Sequence, residues 1–252
     1  MGLVCLDFLP RRYRLPGIGT GLAAGMKLTP AFFLLLLALE GRWGAVFVAA
    51  FTFLCTVATG FAEVSDARDF WTDAIFNSNR VGDADNPGAQ AMRQVMHREL
   101  GVDSTAAWVI AAVAVTALAA LAAHIALRRR REALAVSFIG MAACLVSPFS
   151  WYHHWVWVVI FGVVIYNAWG VLALVVAMLP YSAYNVAHGL YPVPGLWFTL
   201  LPLISMLIYA AYGLFFEGHS PVPRKGSHRA HPSHGRDSRG RSHPHPRPGG
   251  AR

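Results

Sequence analysis

Apolar residues fill most of the chain in long runs that short polar segments interrupt. A helix that crosses a bilayer needs about 20 mostly apolar residues, and several runs reach or approach that length. A turn-forming sequence at 166–170 divides one run that is too long for a simple span. The pattern predicts an all-α, polytopic membrane helix bundle with helices at 43–62, 105–127, 133–150, 154–166, 169–182 and 195–216.

The run 17–40 differs from the others because Lys27 and Pro30 lie near its middle. A charged side chain at the bilayer centre costs about 2.5–3.5 kcal/mol on insertion scales. Proline removes a helix hydrogen bond. We therefore predict a broken hairpin that turns near these two residues.

A basic run from Arg128 to Arg131 predicts the orientation of the bundle. Such runs remain on the cytoplasmic side of a membrane. Counting helices from this run places Lys27, the loop 63–104, His153 and His154 on the extracytoplasmic side. The special polar elements then converge on one face of the membrane, as an active site requires.

The composition of the chain supports a membrane protein, and the composition of its C-terminal segment differs from that of the rest. Of 252 residues, 56% are hydrophobic and 13% charged, whereas soluble domains carry about 25% charged residues. The net charge is +8, and residues 218–252 hold seven Arg and one Lys against one Asp. We predict that this His-, Pro- and Arg-rich tail is cytoplasmic and disordered. We expect it to contact anionic lipid of the bilayer, and we expect no nucleic-acid partner.

Two cations are candidates for phosphate binding. Lys27 offers a cation in a low-dielectric site, although a lysine that merely snorkels to the interface is the alternative. Arg80 is the better candidate in the outer loop, because a guanidinium binds phosphate through two parallel hydrogen bonds. Asn86 begins the turn Asn-Pro-Gly in the same loop.

The segment SPFSWYHHWVW, residues 147–157, contains two adjacent histidines and three tryptophans. A neutral histidine acts as a general base or donates a hydrogen bond to an oxyanion. Neighbouring residues on a helix point about 100° apart, so we do not expect His153 and His154 to share a metal. Trp151, Trp155 and Trp157 fit an aromatic belt at headgroup depth, and we expect this interpretation to hold for two of the three.

Three blocks, GLAAGMKLTPAFFLLLLALEGRW, NSNRVGDADNPGAQ and SPFSWYHHWVW, occur in this order. They resemble glycosyltransferase family 87, the polyprenol-phosphate-mannose-dependent α-(1→2)-mannosyltransferases of the GT-C fold. The resemblance covers roughly residues 1–216. It implies a hexosyltransferase that moves mannose from a polyprenyl-phosphate donor to a glycan or glycolipid acceptor on the extracytoplasmic face, without metal or cofactor. We expect catalytic roles for His153 and His154, and donor-phosphate or substrate contacts from Lys27, Arg80, Asn86 and Trp151.

Two features depart from the family pattern. The family usually shows Asn-Gln-Ser where this chain has Asn86-Pro87-Gly88. The resemblance also implies a catalytic Asp in the first outer loop, but the one early acid, Asp7, is predicted near the cytoplasmic side. We therefore expect an N-terminally truncated chain that lacks this Asp. The alternatives are a transporter or channel component, with Lys27 and the histidines along an ion path, and a non-catalytic membrane subunit.

Overall fold

The computed structural model describes residues 1–10, 12, 14–74, 81–186 and 194–217. These ranges are mostly helical and contain no β-strand, which confirms the all-α prediction. The predicted tail 218–252 and Arg80 lie outside the described residues. The helices are α1 (Gly2–Leu6), α2 (Ile18–Met26), α3 (Phe33–Leu39), α4 (Trp43–Glu63), α5 (Ala67–Asp69), α6 (Met92–Leu100), α7 (Thr105–Arg128), α8 (Glu132–Val146), α9 (Trp157–Val186) and α10 (Pro194–Glu217).

Helix α8 is the central helix of the bundle. Every residue from Leu134 to Leu145 is buried, and α8 packs against α3, α7, α9 and α10. The helix is rich in small residues, which let neighbouring helices approach closely. A Cβ atom at Gly140 would lie 2.3 Å from the Trp157 side chain, so this glycine provides the space that the indole occupies.

Glycines spaced four residues apart join α2 to α4. A Cβ atom at Gly21 would lie 2.5 Å from the carbonyl oxygen of Ala49, and one at Gly25 would lie 2.2 Å from Thr56 Oγ1. Small residues at this spacing allow close contact between membrane helices. The contact fixes the last turn of α2, and therefore Lys27 after it, against the middle of α4.

The lengths and exposed faces of the helices fit a lipid environment. Large apolar side chains remain exposed on the helices, including Phe47, Ile110 and Leu172. A soluble monomer rarely exposes extensive apolar surface, so these faces identify a membrane protein. Within the described ranges, the helices long and apolar enough to cross a membrane are Trp43–Glu63, Thr105–Arg128 and Trp157–Met178, and the shorter apolar ones are Thr29–Leu39, Glu132–Val146 and Thr199–Phe215.

The central helix ends earlier than the sequence pattern predicts. We expected a helix over 133–150, but α8 ends at Val146. Ser147 has φ −54° and ψ 140°, because the ring of Pro148 disfavours helical geometry in the residue before it. Residues 147–150 are therefore a connecting segment rather than the last turn of a helix.

The predicted helices 154–166 and 169–182 also have different bounds. Residues Tyr152–His154 form a 3₁₀ turn, and α9 begins only at Trp157. Residues 166–169 are helical, and the break falls at Gly170, with φ 81° and ψ −174°. Glycine adopts this conformation readily because it has no Cβ atom.

Asp7 stabilises the end of the bundle at which α2 and α4 begin. Its buried carboxylate accepts hydrogen bonds from the backbone N–H groups of Gly17 at 3.0 Å and Thr20 at 2.6 Å. The guanidinium of Arg42 donates to the Asp7 carbonyl at 2.7 Å and pairs with Glu40 at 2.9 Å. The early carboxylate thus caps α2 at the opposite end of that helix from Lys27.

Candidate active site

Lys27 lies where α2 ends. Its N–H donates to the Ala23 carbonyl at 3.0 Å, and its own backbone is extended, with φ −158° and ψ 129°. A 3₁₀ turn from Thr29 to Phe32 follows and contains Pro30 in its first turn. The ammonium is therefore carried by non-helical backbone, which membrane proteins tolerate where it lies beside protein or water.

The segment 147–156 connects α8 to α9 at the same end of the bundle. The Ser147 hydroxyl donates to the Phe149 carbonyl at 2.9 Å, and the Cys144 thiol donates to the His154 carbonyl at 3.3 Å. These bonds tie the segment to the last turns of α8. The following 3₁₀ turn, Tyr152–His154, brings one of the two histidine rings to Lys27.

His154 and Lys27 meet across 127 residues of sequence. The Lys27 Nζ atom lies 2.6 Å from Nε2 and 3.1 Å from Nδ1 of the ring. The backbone N–H of Trp151 donates to Nδ1 at 3.0 Å, so a neutral ring carries its proton on Nε2. Without a ligand, Nε2–H donates to the amine nitrogen of Lys27, since one of two nitrogens in contact at 2.6 Å must accept. When an oxyanion takes this place and Lys27 is protonated, the two groups are neighbouring donors to it, and paired donors of this kind bind an oxyanion.

The surroundings of the pair determine the protonation states of His154 and Lys27. Burial, the Lys27 charge and His153 together lower the pKa of His154 to about 4, so the ring is neutral near pH 7. Burial also lowers the pKa of Lys27. A nearby anion favours the charged form of an ammonium. Binding of a phosphate would therefore stabilise Lys27 in its cationic state.

The two adjacent histidines have different surroundings. The exposed His153 ring makes edge-to-face contacts with Tyr152, at 5.4 Å between centroids, and with His154, at 4.5 Å. His154 is half-buried and bonded to the segment that carries it. The structure thus brings Lys27 and His154 together, and it leaves His153 at the rim of the pair.

Trp151 holds the described part of the outer loop against the histidine segment. The Tyr152 N–H donates to the Gly88 carbonyl at 2.9 Å, and Ala89 pairs with Trp151 as an isolated antiparallel bridge. A Cβ atom at Gly82 would lie 2.5 Å from the Trp151 ring, and one at Gly88 would lie 3.2 Å from it. The indole packs on two glycines and orders the loop beside Lys27 and His154.

Arg98 organises the loop that contains Asn86, a role that the sequence pattern did not reveal. Its guanidinium donates to the carbonyls of Asn86 and Ala89, each at 3.1 Å, and to Glu99 at 3.0 Å. The Asn86 Oδ1 atom accepts the Gly88 N–H at 2.8 Å, which closes the predicted turn. Arg98 lies in the last turn of α6, a helix absent from our interpretation of 63–104 as a loop.

The aromatic-belt interpretation, which we expected to hold for two of the three tryptophans, is wrong for Trp155 and Trp157. Trp155 and Trp157 are buried, with 4% and 6% of their surface exposed. The Trp157 ring lies 4.5 Å from Phe33 and fills the space at Gly140. Both side chains belong to the core because the segment turns inward before α9 begins.

A cavity of about 490 Å³ adjoins the end of α2. Gly25, Thr56 and the ring of Trp71 line it, together with three carboxylates from the loop after α4, Asp66, Asp69 and Asp73. The Trp71 ring lies 6.1 Å from Phe53 of α4, which holds the loop to the bundle. Gly25 stands two residues before Lys27, so these carboxylates lie on the same side of the bundle as the Lys27–His154 pair.

Comparison with known proteins identifies relatives of the chain. The profile of glycosyltransferase family 87 matches residues 1–148, more than half of the sequence. That range includes Lys27 and the described outer loop, and it ends before the histidines. No solved structure matches the chain.

The similar proteins are mycobacterial mannosyltransferases. A polyprenol-phosphate-mannose-dependent alpha-(1-2)-phosphatidylinositol mannoside mannosyltransferase of Mycolicibacterium smegmatis is 34% identical, covering 82% of this chain and 47% of the relative. The protein of the same name in Mycobacterium tuberculosis is 32% identical, covering 77% and 44%. A phosphatidylinositol pentamannoside mannosyltransferase of M. smegmatis is 29% identical, covering 86% and 56%. The chain spans about half the length of these curated relatives.

Proposed function

Because the chain belongs to glycosyltransferase family 87, we propose that it acts in mannosyl transfer from a polyprenyl-phosphate-mannose donor. The names of the similar proteins support this donor and a phosphatidylinositol mannoside acceptor. The observation that carries the proposal is the contact between Lys27 and His154. We place this contact on the extracytoplasmic side, because the basic run Arg128–Arg131 lies at the opposite end of α8 and favours the cytoplasm.

In the proposed reaction, the acceptor hydroxyl oxygen forms a bond to the anomeric carbon of mannose. The bond between that carbon and the phosphate oxygen breaks, and polyprenyl phosphate leaves with the electron pair. The Lys27 ammonium and the His154 Nε2–H stabilise the growing negative charge on this oxygen. Donors that are fixed before the reaction lower its barrier because they need no reorganisation when the charge develops.

The acceptor proton needs a base on the same side of the bundle. We assign this role to the carboxylates that line the cavity beside Gly25, with Asp66 and Asp69 as the first candidates. His154 is unsuited to it, because its Nδ1 accepts the Trp151 N–H and its Nε2 already carries a proton. Arg80 remains a proposed contact to the donor phosphate. Asn86 and Trp151 order the described part of the same loop.

Transfer and binding together test the proposal. Membranes containing the chain receive radiolabelled polyprenyl-phosphate-mannose and phosphatidylinositol mannoside, and binding of polyprenyl phosphate to the purified chain is measured in parallel. Removal of one oxyanion donor lowers the rate by about 10²–10³. We expect losses of this size in Lys27→Gln and His154→Ala, with weaker binding of polyprenyl phosphate in both variants.

His153→Ala is the matched control, because it removes the neighbouring ring without removing the donor pair. We expect it to retain most of the transfer and binding. Asp66→Asn and Asp69→Asn should lower transfer without weakening polyprenyl-phosphate binding, since they act on the acceptor. Unchanged binding in Lys27→Gln and His154→Ala would refute the assignment of the phosphate site.

A further inference from the structure

The Trp151 N–H that bonds to His154 belongs to a peptide unit that the outer loop holds from its other side. This unit joins Ser150 to Trp151, and its carbonyl accepts the Gln90 N–H at 2.6 Å. Its N–H donates to His154 Nδ1 at 3.0 Å. The N–H and C=O of a planar trans peptide point in opposite directions. The outer loop therefore fixes the plane that directs this N–H onto the histidine ring.

A second peptide unit links this contact to Arg98. It joins Ala89 to Gln90, and its carbonyl accepts a hydrogen bond from the Arg98 guanidinium at 3.1 Å. Its N–H is the one that donates to the Ser150 carbonyl. Three hydrogen bonds thus form one continuous chain, which runs from the guanidinium through the two peptide units to the His154 ring. In every bond of this chain, the donor lies on the side of Arg98 and the acceptor on the side of His154.

This chain of hydrogen bonds begins at a positive charge and ends at a neutral ring. Hydrogen bonds in such a chain polarise and strengthen one another, and a bond from a charged donor is about twice as strong as one between neutral groups. The Arg98 charge therefore strengthens the Trp151 N–H as a donor to Nδ1. A neutral ring that accepts at Nδ1 carries its proton on Nε2, the nitrogen that lies 2.6 Å from Lys27 Nζ.

Helix α6 holds both partners of the contact between the outer loop and the histidine segment. It packs against α7, α8 and α10. Arg98 also donates to the Asn86 carbonyl at 3.1 Å, which ties the loop to α6. Gln94 has 3% of its surface exposed, and its Nε2 donates to the Pro148 carbonyl at 2.9 Å. The loop and the segment that carries His154 are therefore positioned by the same helix.

We propose that Arg98 is a positioning residue for His154, which acts through the two peptide units and keeps the ring proton on Nε2. When the loop leaves the histidine segment, the Ser150 carbonyl loses its partner and the Trp151 N–H is free to turn away from Nδ1. The ring proton then exchanges between the two nitrogens, and the ring ceases to be a fixed donor. The docked loop is thus a condition for the donor pair, whose part in mannosyl transfer rests on the proposed function.

The position of the ring proton can be measured by ¹⁵N NMR on the purified chain, labelled at histidine, in detergent at neutral pH and without a ligand. The chemical shift of a ring nitrogen shows whether it carries a proton. Signals that are lost in His154→Asn identify His154 among the 11 histidines. Arg98→Met keeps an unbranched side chain but donates no hydrogen bond. We expect it to raise the ratio of Nδ1–H to Nε2–H rings at His154 about twofold to tenfold, the range of one neutral hydrogen bond.

Arg93→Met is the matched control on the same helix, because the Arg93 guanidinium stacks 5.3 Å from the Trp108 ring centroid of α7. Its His154 ring should keep the wild-type ratio. Arg98→Lys retains a cationic donor and should restore part of that ratio.

Gln94→Met takes the place of Arg98→Met if the latter does not fold. It should shift the His154 ratio in the same direction, because loss of the bond to Pro148 also releases the histidine segment from α6. An unchanged His154 ratio in the folded variant would overturn the inference, and so would an equal shift in Arg93→Met.

Binding of polyprenyl phosphate gives a second readout that a merely structural role of Arg98 would not reproduce. Arg98→Met should weaken this binding about twofold to tenfold when His154 is present, but not in the His154→Asn background, because the two residues are coupled. Equal losses in both backgrounds would show that Arg98 acts through another part of the loop, which would overturn the inference. Absence of binding in every form would count against the proposed function alone, because the ring proton is observed without a ligand.

Discussion

The neutral state of His154 leads to a prediction about stability in acid. The pKa of His154 is lowered from 6.5 to about 4, first by burial and then by the charge of Lys27. The folded chain therefore binds this proton more weakly than the unfolded chain does. The stability that the folded chain gains by keeping His154 neutral is fully present above about pH 6.5 and is lost as the pH falls toward about 4.

The size of the effect follows from the pKa difference and the exposure of the ring. One pH unit corresponds to about 1.4 kcal/mol, so a fully buried ring would contribute about 3 kcal/mol. His154 is half-buried, and solvent screening reduces this value to about 1–2 kcal/mol. For a chain of this length, that corresponds to about 2–8 °C in the unfolding temperature.

His154→Asn tests this reasoning, because the amide oxygen can accept the Trp151 N–H but the residue does not titrate. The unfolding temperature in detergent is measured at about pH 7 and about pH 4 for this variant, the wild type and the control His153→Asn. We expect the wild type and the control to lose about 2–8 °C more than His154→Asn. His97 does not disturb the comparison: bonds to Asp103 and Asp85 raise its pKa in all three proteins. Equal losses in all three would show that His154 is not held neutral by burial and Lys27.

Two further substitutions test the packing that supports the site. Gly21→Ala should lower the free energy of unfolding by about 1–3 kcal/mol, because its Cβ would lie 2.5 Å from the Ala49 carbonyl. Thermal unfolding measures this loss. Gly60 faces open space, so the control Gly60→Ala should keep its stability. Arg98→Gln should raise hydrogen exchange at the Gly88 and Gln90 amides about tenfold or more, because bonds to charged groups contribute about 1.5–3 kcal/mol. Equal unfolding temperatures for the two glycine variants, or unchanged exchange in Arg98→Gln, would contradict these assignments.

The helical architecture follows directly from the sequence because a bilayer imposes a length and a composition on each span. The described helices Trp43–Glu63 and Thr105–Arg128 differ from the predicted ranges by one residue at one end. Local backbone chemistry explains the larger differences. Pro148 ends α8 early, and Gly170 marks the break in α9. Helix α6 was missed because it is short and polar and lies in a loop rich in turn residues.

Side-chain burial was harder to predict from the sequence, because it depends on partners that are distant in sequence. The tryptophans of the segment 147–157 have the composition of a membrane-interface belt, and no local feature separates Trp151 from Trp157. Their different positions depend on glycines elsewhere in the chain, because Trp157 packs against Gly140 whereas Trp151 packs against Gly82 and Gly88. A glycine can mark the place of a large side chain, but the sequence alone does not pair them.

In the candidate site as well, the sequence indicated which residues take part but not how they are arranged. Sequence reasoning selected Lys27, His153 and His154 by residue type and grouped them on one side of the membrane. It could not separate the two histidines, because their difference arises from one backbone bond, from Trp151 N–H to His154 Nδ1. That bond places the ring proton on Nε2, next to Lys27, and so turns a titratable ring into a fixed donor. The pair therefore depends on the 3₁₀ turn at Tyr152–His154, since an α-helix through this segment would leave the Trp151 N–H bonded to a backbone carbonyl.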